Sequence, residues 1–328
     1  MWGPVHKPVL HIHPTYLCNL SCPHCYSASS PNSKISLPIN VVTAAIRDAA
    51  DLGFEVVSVS GGEPLVYPEL AKVLETARDA RLSTGFITNG LLIRSARNAR
   101  AVDLADVIGV SVDGSQETHQ ASRLSSSSWS SAISALDYLA GRQKNTAIVM
   151  TATHRNWYEA DDLADLAVRH GASTLHIHPL ELPASNDYKG TLTPLTDEDK
   201  CKLFLLTRYL AAKHHGQLQI QLDLVHSRWM RAAPQKFYLG EVPKRIGARE
   251  LGILVIRADG TVAPISHDMP AALTLANLHT RGLREGITAS ANNVIESVFF
   301  ASQLYPVHAI IRKFVGSMTR KLSVTSSQ

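Results

Sequence analysis

The sequence predicts an α/β fold built from parallel strands. Short runs rich in apolar and β-branched residues alternate along the chain with segments in which apolar residues recur every three or four positions. Strands that are separated by helices favour parallel βαβ units. The chain has 328 residues, of which 45% are hydrophobic and 18% are charged, so it can bury the large core that such a fold requires.

Strands and helices alternate in a fixed order in this pattern. The strands are predicted at residues 9–17, 56–60, 84–88, 107–112, 147–153 and 174–180. The helices between them are predicted at residues 41–52, 69–82, 96–104, 129–141 and 159–171. A further helix at 196–215 ends the repeating units, and residues 217–226 are predicted to form another strand. The Ser- and Pro-rich segment 27–38 predicts a long loop.

Three of the four cysteines lie in one eight-residue window, at Cys18, Cys22 and Cys25. Thiolates are the protein ligands of iron–sulfur clusters, and three of them leave one iron of a four-iron cluster without a protein ligand. A zinc site usually needs a fourth Cys or His and often a second, distant pair, whereas His24 stands between two of these thiols. A disulfide is disfavoured because no signal segment precedes the window, which indicates a reducing compartment.

The spacing of these cysteines resembles the cluster-binding loop of the radical S-adenosylmethionine (radical SAM) superfamily. Three later segments strengthen the resemblance, because each follows a predicted strand in the order that the superfamily shows. They are Gly61-Gly62-Glu63-Pro64 after the second strand, Asn89-Gly90 after the third and Ser111-Val112-Asp113-Gly114 at the end of the fourth. The resemblance implies an open (βα)6 partial TIM barrel over residues 1–216, with its active site at the carboxyl ends of the strands.

The resemblance also implies two cofactors, a single [4Fe–4S] cluster on the three cysteines and S-adenosylmethionine (SAM) beside it. The SAM contacts that it implies are Gly61, Gly62, Glu63, Pro64, Asn89, Ser111 and Asp113. Glycines let the backbone approach a ligand closely, and the Glu63 carboxylate would lie near the methionine ammonium. Ser111 and Asp113 share one face of a strand, so both can accept hydrogen bonds from ribose hydroxyls.

Two pairs of histidines have the spacing of residues on one face of a strand. His11 and His13 lie on the first predicted strand, and His176 and His178 lie on the sixth. We expect these two strands to flank the open side of the barrel, where substrate enters. Histidine titrates near neutral pH, so His13 and His178 are candidates for substrate contact or proton transfer, and a second metal is an alternative. The pairs are equally interpretable as satisfied polar residues of the barrel interior, or as residues that face outward.

The segment 217–283 resembles, more loosely, the SPASM-type extension of radical SAM peptide maturases. It contains a predicted β-hairpin with Asp259-Gly260 at the turn, followed by Asn277-Leu278. The cysteines that hold a second cluster in that extension are missing here, and Cys201 is predicted to be an inert helix residue. Residues 284–328 form a basic tail with helical apolar spacing, which would pack on the barrel or meet an acidic partner or a membrane surface.

Three functions fit these patterns. The first is a radical SAM enzyme that cleaves SAM reductively and uses the 5′-deoxyadenosyl radical to take hydrogen from a substrate, which we expect to be a ribosomally made peptide. The second is a radical SAM enzyme with the same chemistry whose substrate is a small metabolite, such as a tetrapyrrole, sugar or nucleoside intermediate. The third is a non-enzymatic iron–sulfur redox protein, which would not need the SAM segments.

The expected partners follow from the enzyme hypothesis. A flavodoxin- or ferredoxin-like protein would supply electrons. A leader peptide would need a separate protein or the C-terminal region to bind it, because only about eight residues precede the first predicted strand. The net charge of +4 is too small to indicate a nucleic-acid partner. The sequence shows no apolar run of the length of a membrane span, which predicts a cytoplasmic enzyme.

Overall fold

The computed structural model describes residues 7–180, 192–223, 252–263 and 274–289. Within these ranges the strands are β1 (Val9–Ile12), β2 (Val56–Val59), β3 (Ser83–Thr88), β4 (Val107–Ser111), β5 (Asn145–Ala152), β6 (Thr174–Pro179), β7 (Gln219–Leu222), β8 (Ile253–Ile256), β9 (Thr261–Ala263) and β10 (Ala276–Asn277). They form one sheet with the order β10-β9-β8-β1-β2-β3-β4-β5-β6-β7. The carboxyl ends of the parallel strands therefore meet along one edge of the sheet.

The α-helices of the described residues follow the strands as the sequence predicts, with one addition. They are α1 (Ile39–Asp51), α2 (Leu70–Asp79), α3 (Ala99–Leu104), α4 (Gln116–Arg123), α5 (Ser128–Gly141), α6 (Ala160–Arg169), α7 (Asp197–Lys213) and α8 (Leu283–Ala289). The alternation of β1 to β6 with helices and their parallel pairing confirm the predicted α/β fold class. The addition is α4, whose polar sequence lacks an apolar stripe. None of the described helices has the length and apolar composition needed to cross a membrane.

The first strand is shorter than predicted. β1 ends at Ile12, and Pro14, which has no backbone N–H to offer a neighbouring strand, follows two residues later. The chain then leaves the sheet and forms isolated bridges, Thr15 with Ser36 and Leu17 with Ser30. The cysteine window therefore lies on a loop that departs from the carboxyl end of β1.

The expectation that the first and sixth strands flank the open side of the barrel was wrong. β8 pairs in parallel with β1, and β7 pairs in parallel with β6, so each of the two strands has a neighbour on both sides. The predicted hairpin is present as β8 and β9, which pair antiparallel around the turn at Asp259-Gly260. Gly260 has φ +84°, the left-handed conformation that favours glycine. The two histidine pairs consequently lie inside the sheet rather than at its edges.

The two faces of the sheet differ in composition because strand residues alternate between them. One face packs against the helices and supplies the hydrophobic core. Its fully buried residues include Leu10, Ile12, Val57, Val59, Phe86, Ile108, Val110, Ile148, Met150, Leu175 and Ile177. We call the opposite side the inner face. It carries polar residues at the strand ends, among them His11, Ser58, Ser111, Thr151, His176 and His178.

The last described helix joins the C-terminal segment to the first helix of the barrel. Leu283 and Ile287 are buried, and the Arg284 amide donates to the Asp48 carboxylate at 3.0 Å. Arg284 also forms an ion pair with Asp51. The sheet runs without a break from β7 to β10, so the boundaries at 216 and 283 remain predictions about domain organisation. The tail beyond Ala289 lies outside the described residues, as do residues 245–249 and 264–267, where the SPASM-type extension would place its cluster cysteines.

Candidate functional site

The three cysteines lie together on the loop that follows β1. The loop is held by backbone hydrogen bonds, from Cys18 N to Ser30 O at 3.1 Å and from Cys25 N to Cys22 O at 3.2 Å. All three thiols are partly exposed. The Cys25 sulfur accepts a hydrogen bond from Ser29 N at 3.3 Å, the kind of contact that tunes a ligating thiolate.

The arrangement of the thiols fits an iron–sulfur cluster better than a single ion. Among the described residues, the ligand atoms of His176, His178 and Asp223 lie within 4.8 Å of one another. The three thiols do not lie that close together. A four-iron cluster holds its thiolates further apart than one metal ion does, and the partial exposure leaves room for a ligand on the fourth iron. The donor set is therefore suited to a [4Fe–4S] cluster.

The thiols need positive charge before they can ionise. Burial, opposed by a backbone hydrogen bond at Leu20 and aided by Glu63 and the neighbouring thiols, raises the pKa of Cys18 to about 12. Burial also raises the pKa of Cys22, although the Arg123 guanidinium opposes this shift. A thiolate is the form that binds metal, so the iron itself must supply most of the charge that keeps these sulfurs ionised.

Gly61 and Gly62 receive the backbone of the cysteine loop. A Cβ on Gly62 would lie 2.1 Å from Leu17 O, and a Cβ on Gly61, which has φ +97°, would lie 2.7 Å from the Cβ of His13. The Gly62 amide donates to Thr15 O at 2.8 Å. The two glycines were predicted to let a ligand approach the backbone closely. In the structure, the backbone of the cysteine loop makes that close approach. The glycines fix the loop, and direct SAM contact remains a prediction.

Glu63 links the ends of β2 and β3. Its carboxylate accepts hydrogen bonds from Leu65 N at 3.1 Å, Thr88 Oγ1 at 2.8 Å and Asn89 N at 2.9 Å, and the residue is 2% exposed. Burial raises its pKa, and these donors oppose the shift. Glu63 therefore has almost no surface for the predicted contact with a methionine ammonium, and its contacts indicate a positioning role. Pro64 is also buried, at the start of a short 3-10 helix, Pro64–Val66.

Asn89 and Ser111 are buried with a small exposed fraction, whereas Gly61 and Gly62 are half-buried. Asn89 and Ser111 are 7% and 8% exposed, respectively, at the carboxyl ends of β3 and β4. The Asn89 amide donates to Asn19 Oδ1 at 2.7 Å, which ties the third strand to the cysteine loop. These two side chains lie on the inner face near the thiols, so they are placed to contact a ligand bound there.

Asp113 holds Arg123 instead of presenting a free carboxylate. Arg123 donates from Nε to Oδ2 at 2.7 Å and from Nη2 to Oδ1 at 3.2 Å, and the Thr151 amide donates to Oδ1 at 3.0 Å. Burial would raise the pKa of Asp113, but the Arg123 charge outweighs it and holds the pKa well below its usual range. Asp113 is 1% exposed and holds the Arg123 guanidinium in place, and its contact with ribose remains a prediction.

Arg123 is the functional residue that the sequence analysis missed. It ends α4, and burial would lower its pKa, but Asp113 and the Cys22 and Cys25 thiols raise the pKa above its usual value. The guanidinium is therefore a permanent charge within electrostatic range of the cysteines. Two signals in the sequence could have revealed this helix and side chain. A Ser stands at the helix start, and His119 and Arg123 follow it four residues apart, on one face of the helix.

Two further histidines complete the buried surroundings of Asp113. His24 Nε2 and His119 Nδ1 lie 4.0 Å and 3.8 Å from its Oδ2 atom. Burial lowers the pKa of each histidine to about 4, more than the Asp113 charge raises it. Both are therefore neutral near pH 7, and Arg123 alone carries the positive charge of this group.

The two histidine pairs lie in different surroundings. His13 is fully buried, with Nε2 3.1 Å from the Tyr26 hydroxyl, and Tyr26 in turn lies 2.8 Å from Ser60 Oγ. His13 has no exposed surface in this structure and contacts the residue that follows Cys25, and its contact with substrate remains a prediction. His178 keeps part of its surface on the inner face, so its predicted role remains a prediction.

A comparison with protein families agrees with this geometry. The family described as the Radical SAM superfamily matches residues 12–167, from the end of β1 into α6. This match covers a little under half of the chain, which is similar to the superfamily over that segment. The superfamily's cofactors, a [4Fe–4S] cluster and SAM, are the two that the cysteine window and the strand ends predict.

Individual radical SAM proteins resemble the chain over part of its length. Mycofactocin maturase MftC of Mycobacterium tuberculosis is 32% identical over 189 residues, which cover 56% of this chain and 48% of that protein. Fe-coproporphyrin III synthase of Methanosarcina barkeri is 36% identical over 116 residues, 34% of this chain and 29% of that one. The crystal structure of Streptococcus suis SuiB bound to SAM superposes with a TM-score of 0.68 at 17% identity, over 85% of this chain and 64% of SuiB. The chain spans about half the length of MftC, and the likeness to SuiB shows the fold.

The packing of Gly62 predicts a specific loss of iron. Gly62→Ala places a Cβ against the Leu17 carbonyl, so the cysteine loop must move. We expect the variant to fold, by circular dichroism, but to retain well under half of the roughly four irons per chain that one reconstituted cluster provides. Gly141→Ala is the matched control, because nothing lies within 4 Å of its new Cβ. Full iron content in Gly62→Ala would contradict the assignment of Gly62 to the loop contact.

The Asp113–Arg123 pair predicts a pH-dependent loss of stability. Arg123→Met leaves a buried carboxylate unpaired, which costs about 3–5 kcal/mol of unfolding free energy near pH 7. The unpaired Asp113 would have a raised pKa, so its protonation restores stability as pH falls towards 4. In the wild type the pKa is lowered, so the pair stabilises the fold above the unfolded-state value of about 3.9 and loses this contribution below it.

Urea unfolding of cluster-free protein between pH 4 and 7 measures this difference. Arg142→Met is the control, because Arg142 forms its ion pair with Asp103 at the surface. We expect the deficit of Arg123→Met to be large at pH 7 and smaller at pH 4, with Arg142→Met near the wild type throughout. Equal behaviour of the two variants would show that the buried pair does not stabilise the fold.

Proposed function

We propose that this chain is a radical SAM enzyme that takes a hydrogen atom from its substrate. When bound, the [4Fe–4S] cluster supplies the electron that cleaves SAM to methionine and the 5′-deoxyadenosyl radical, which removes the hydrogen. The observation that carries the proposal is the three-thiol loop fixed on Gly61 and Gly62, with the Arg123 charge nearby. A redox carrier would need the thiols but none of the ordered groups at the ends of β2, β3 and β4.

The chain's residues have separate tasks in this proposal. Cys18, Cys22 and Cys25 hold the cluster, and their partial exposure leaves the fourth iron open to SAM. Asn89 and Ser111 contact SAM from the inner face. Arg123 offers a fixed positive charge to an anionic group such as the SAM carboxylate, and Asp113 holds that guanidinium by two hydrogen bonds. Because these groups sit on strand ends and a buried ion pair, they need little rearrangement when ligand binds.

The substrate that we favour is a peptide. Two solved structures with this fold contain peptides, SuiB bound to precursor peptide SuiA and anSMEcpe bound to the Cp18Cys peptide. A relative in sequence, MftC, is a maturase. A peptide segment would reach the SAM site along the inner face, at the carboxyl ends of the strands. A leader peptide would then bind a separate protein, and a flavodoxin- or ferredoxin-like donor in the cytoplasm would reduce the cluster.

A tetrapyrrole-like metabolite is the second candidate substrate. It is supported by the likeness to Fe-coproporphyrin III synthase. That protein is 36% identical to this chain, a higher identity than that of MftC, although over a shorter segment. Hydrogen transfer separates the two candidates. Deuterium at the attacked carbon should appear in 5′-deoxyadenosine only for the true substrate.

The enzyme proposal predicts SAM cleavage by the reconstituted protein. Under strict anaerobiosis with a strong reductant, we expect slow formation of 5′-deoxyadenosine, faster when substrate fills the site. Cys18→Ala should abolish both iron binding and cleavage, whereas Asn89→Ala should keep the iron and weaken SAM binding by about tenfold, the order expected for one lost hydrogen bond. Liquid chromatography of the product and calorimetry of SAM binding provide the two measurements. An intact cluster that yields no 5′-deoxyadenosine with any reductant would favour the redox-carrier hypothesis instead.

A further inference from the structure

A second group of metal-ligating side chains lies on the inner face, at the end of β6 and β7. His176 Nε2 is 2.9 Å and His178 Nδ1 is 2.5 Å from the same carboxylate oxygen, Asp223 Oδ2. The two imidazole centroids are 3.9 Å apart. The ligand atoms of all three residues lie within 4.8 Å of one another. The superfamily match ends at residue 167, so this group lies outside the matched segment.

The surroundings of Asp223 suit a cation. Asp223 is 6% exposed, and its Oδ2 atom lies within hydrogen-bonding distance of both imidazole rings. One divalent ion would bind the carboxylate and both rings together.

We propose that His176, His178 and Asp223 bind a divalent transition-metal ion such as Zn²⁺ or Fe²⁺. Two imidazoles and one carboxylate form a donor set typical of such ions, and imidazole disfavours Mg²⁺ and Ca²⁺. Around a tetrahedral ion with bonds of about 2.0–2.1 Å, ligand atoms lie roughly 3.3 Å apart, so the two distances from Asp223 Oδ2 to the ring nitrogens need to lengthen by less than about 1 Å. The proposal does not depend on the radical chemistry proposed above.

The positions of the ligands favour a preformed site. His176 and His178 alternate on one strand and therefore share a face, and the Asp223 amide donates to Ile177 O at 3.0 Å, which continues the β6–β7 ladder beyond β7. Ligands on paired strands are held more rigidly than ligands on loops. The spacing of the two histidines is visible in the sequence, but their meeting with Asp223 depends on the pairing of β7 with β6.

The site faces the same space as the SAM-binding residues. His178 is in register with Thr151 on β5, and the Thr151 amide donates to Asp113 beyond the end of β4. Strands lie about 4.8 Å apart, so two strand intervals place the ion roughly 10 Å from the β4 backbone. Three protein ligands leave at least one coordination position open. That position would take a donor group of the substrate, such as a carboxylate or an imidazole, and orient it on the inner face.

The test uses protein from which the cluster cysteines have been removed, so that iron and zinc cannot bind there. In the Cys18→Ser, Cys22→Ser, Cys25→Ser triple variant, freed of metal with a chelator, we expect calorimetry with Zn²⁺ and with Fe²⁺ to show one site per chain. Mass spectrometry of the dialysed protein should recover one metal ion. Mg²⁺ at the same concentration should not bind.

Substitutions in this background assign the ligands. His176→Ala, His178→Ala and Asp223→Asn should each weaken Zn²⁺ binding by tenfold or more and abolish the rise in melting temperature that Zn²⁺ gives the parent. His154→Ala is the matched control, because it removes a histidine that bonds a carboxylate, Asp199, at the surface. Each variant's melting temperature without metal shows whether it still folds.

Two results would overturn the proposal. One is no stoichiometric Zn²⁺ or Fe²⁺ binding by the folded parent, which would mean that the group holds protons rather than metal. The other is equal loss of binding in His154→Ala and in the three ligand variants, which would indicate adventitious surface binding. Neither result bears on 5′-deoxyadenosine formation, which is measured on protein with its cysteines intact.

Discussion

The cofactor site depends on the contact between two backbone segments, Gly61-Gly62 at the end of β2 and residues 15–17 before the first cysteine. The Gly62 amide donates to Thr15 O and the next amide, of Glu63, donates to Leu17 O, and a Cβ on Gly62 would overlap the Leu17 carbonyl. The cysteine loop contributes only isolated bridges to the secondary structure. The contact with the end of β2 therefore helps to fix the position of the loop and of its three thiols. The glycines matter because they carry no side chain between strand and loop.

Charge is arranged around this contact in a way that explains several polar residues at once. A guanidinium can be buried only beside an anion. Asp113 is that anion, and its carboxylate accepts two hydrogen bonds from Arg123. The neutral His24 and His119 surround the same carboxylate without adding charge. The Arg123 charge thereby stays near the thiols, where an anionic ligand would meet it. Much of the conspicuous polar sequence at the strand ends thus positions other groups rather than touching a ligand.

The fold was largely predictable from the sequence because it follows from local periodicity. Strands alternating with helices determine the parallel sheet, and the cysteine window and Gly61-Gly62 were recognisable by spacing. The pairing of β8 with β1 was not predictable, because it joins residues over two hundred positions apart and leaves no local pattern. The SAM contacts of Glu63 and Asp113 remain predictions for a physical reason. A carboxylate at a strand end has the same sequence signature whether it binds a ligand or a neighbouring amide and guanidinium.

The central claim is that the three thiols hold a four-iron cluster whose fourth iron is free to bind SAM. Mössbauer spectroscopy of protein reconstituted with ⁵⁷Fe tests it directly, because it distinguishes individual iron environments. If the claim is correct, adding SAM to the wild-type protein should change the signal of about one iron in four and leave the others as they were. A spectrum in which SAM changes no iron, or in which the irons do not form a four-iron cluster, would contradict it.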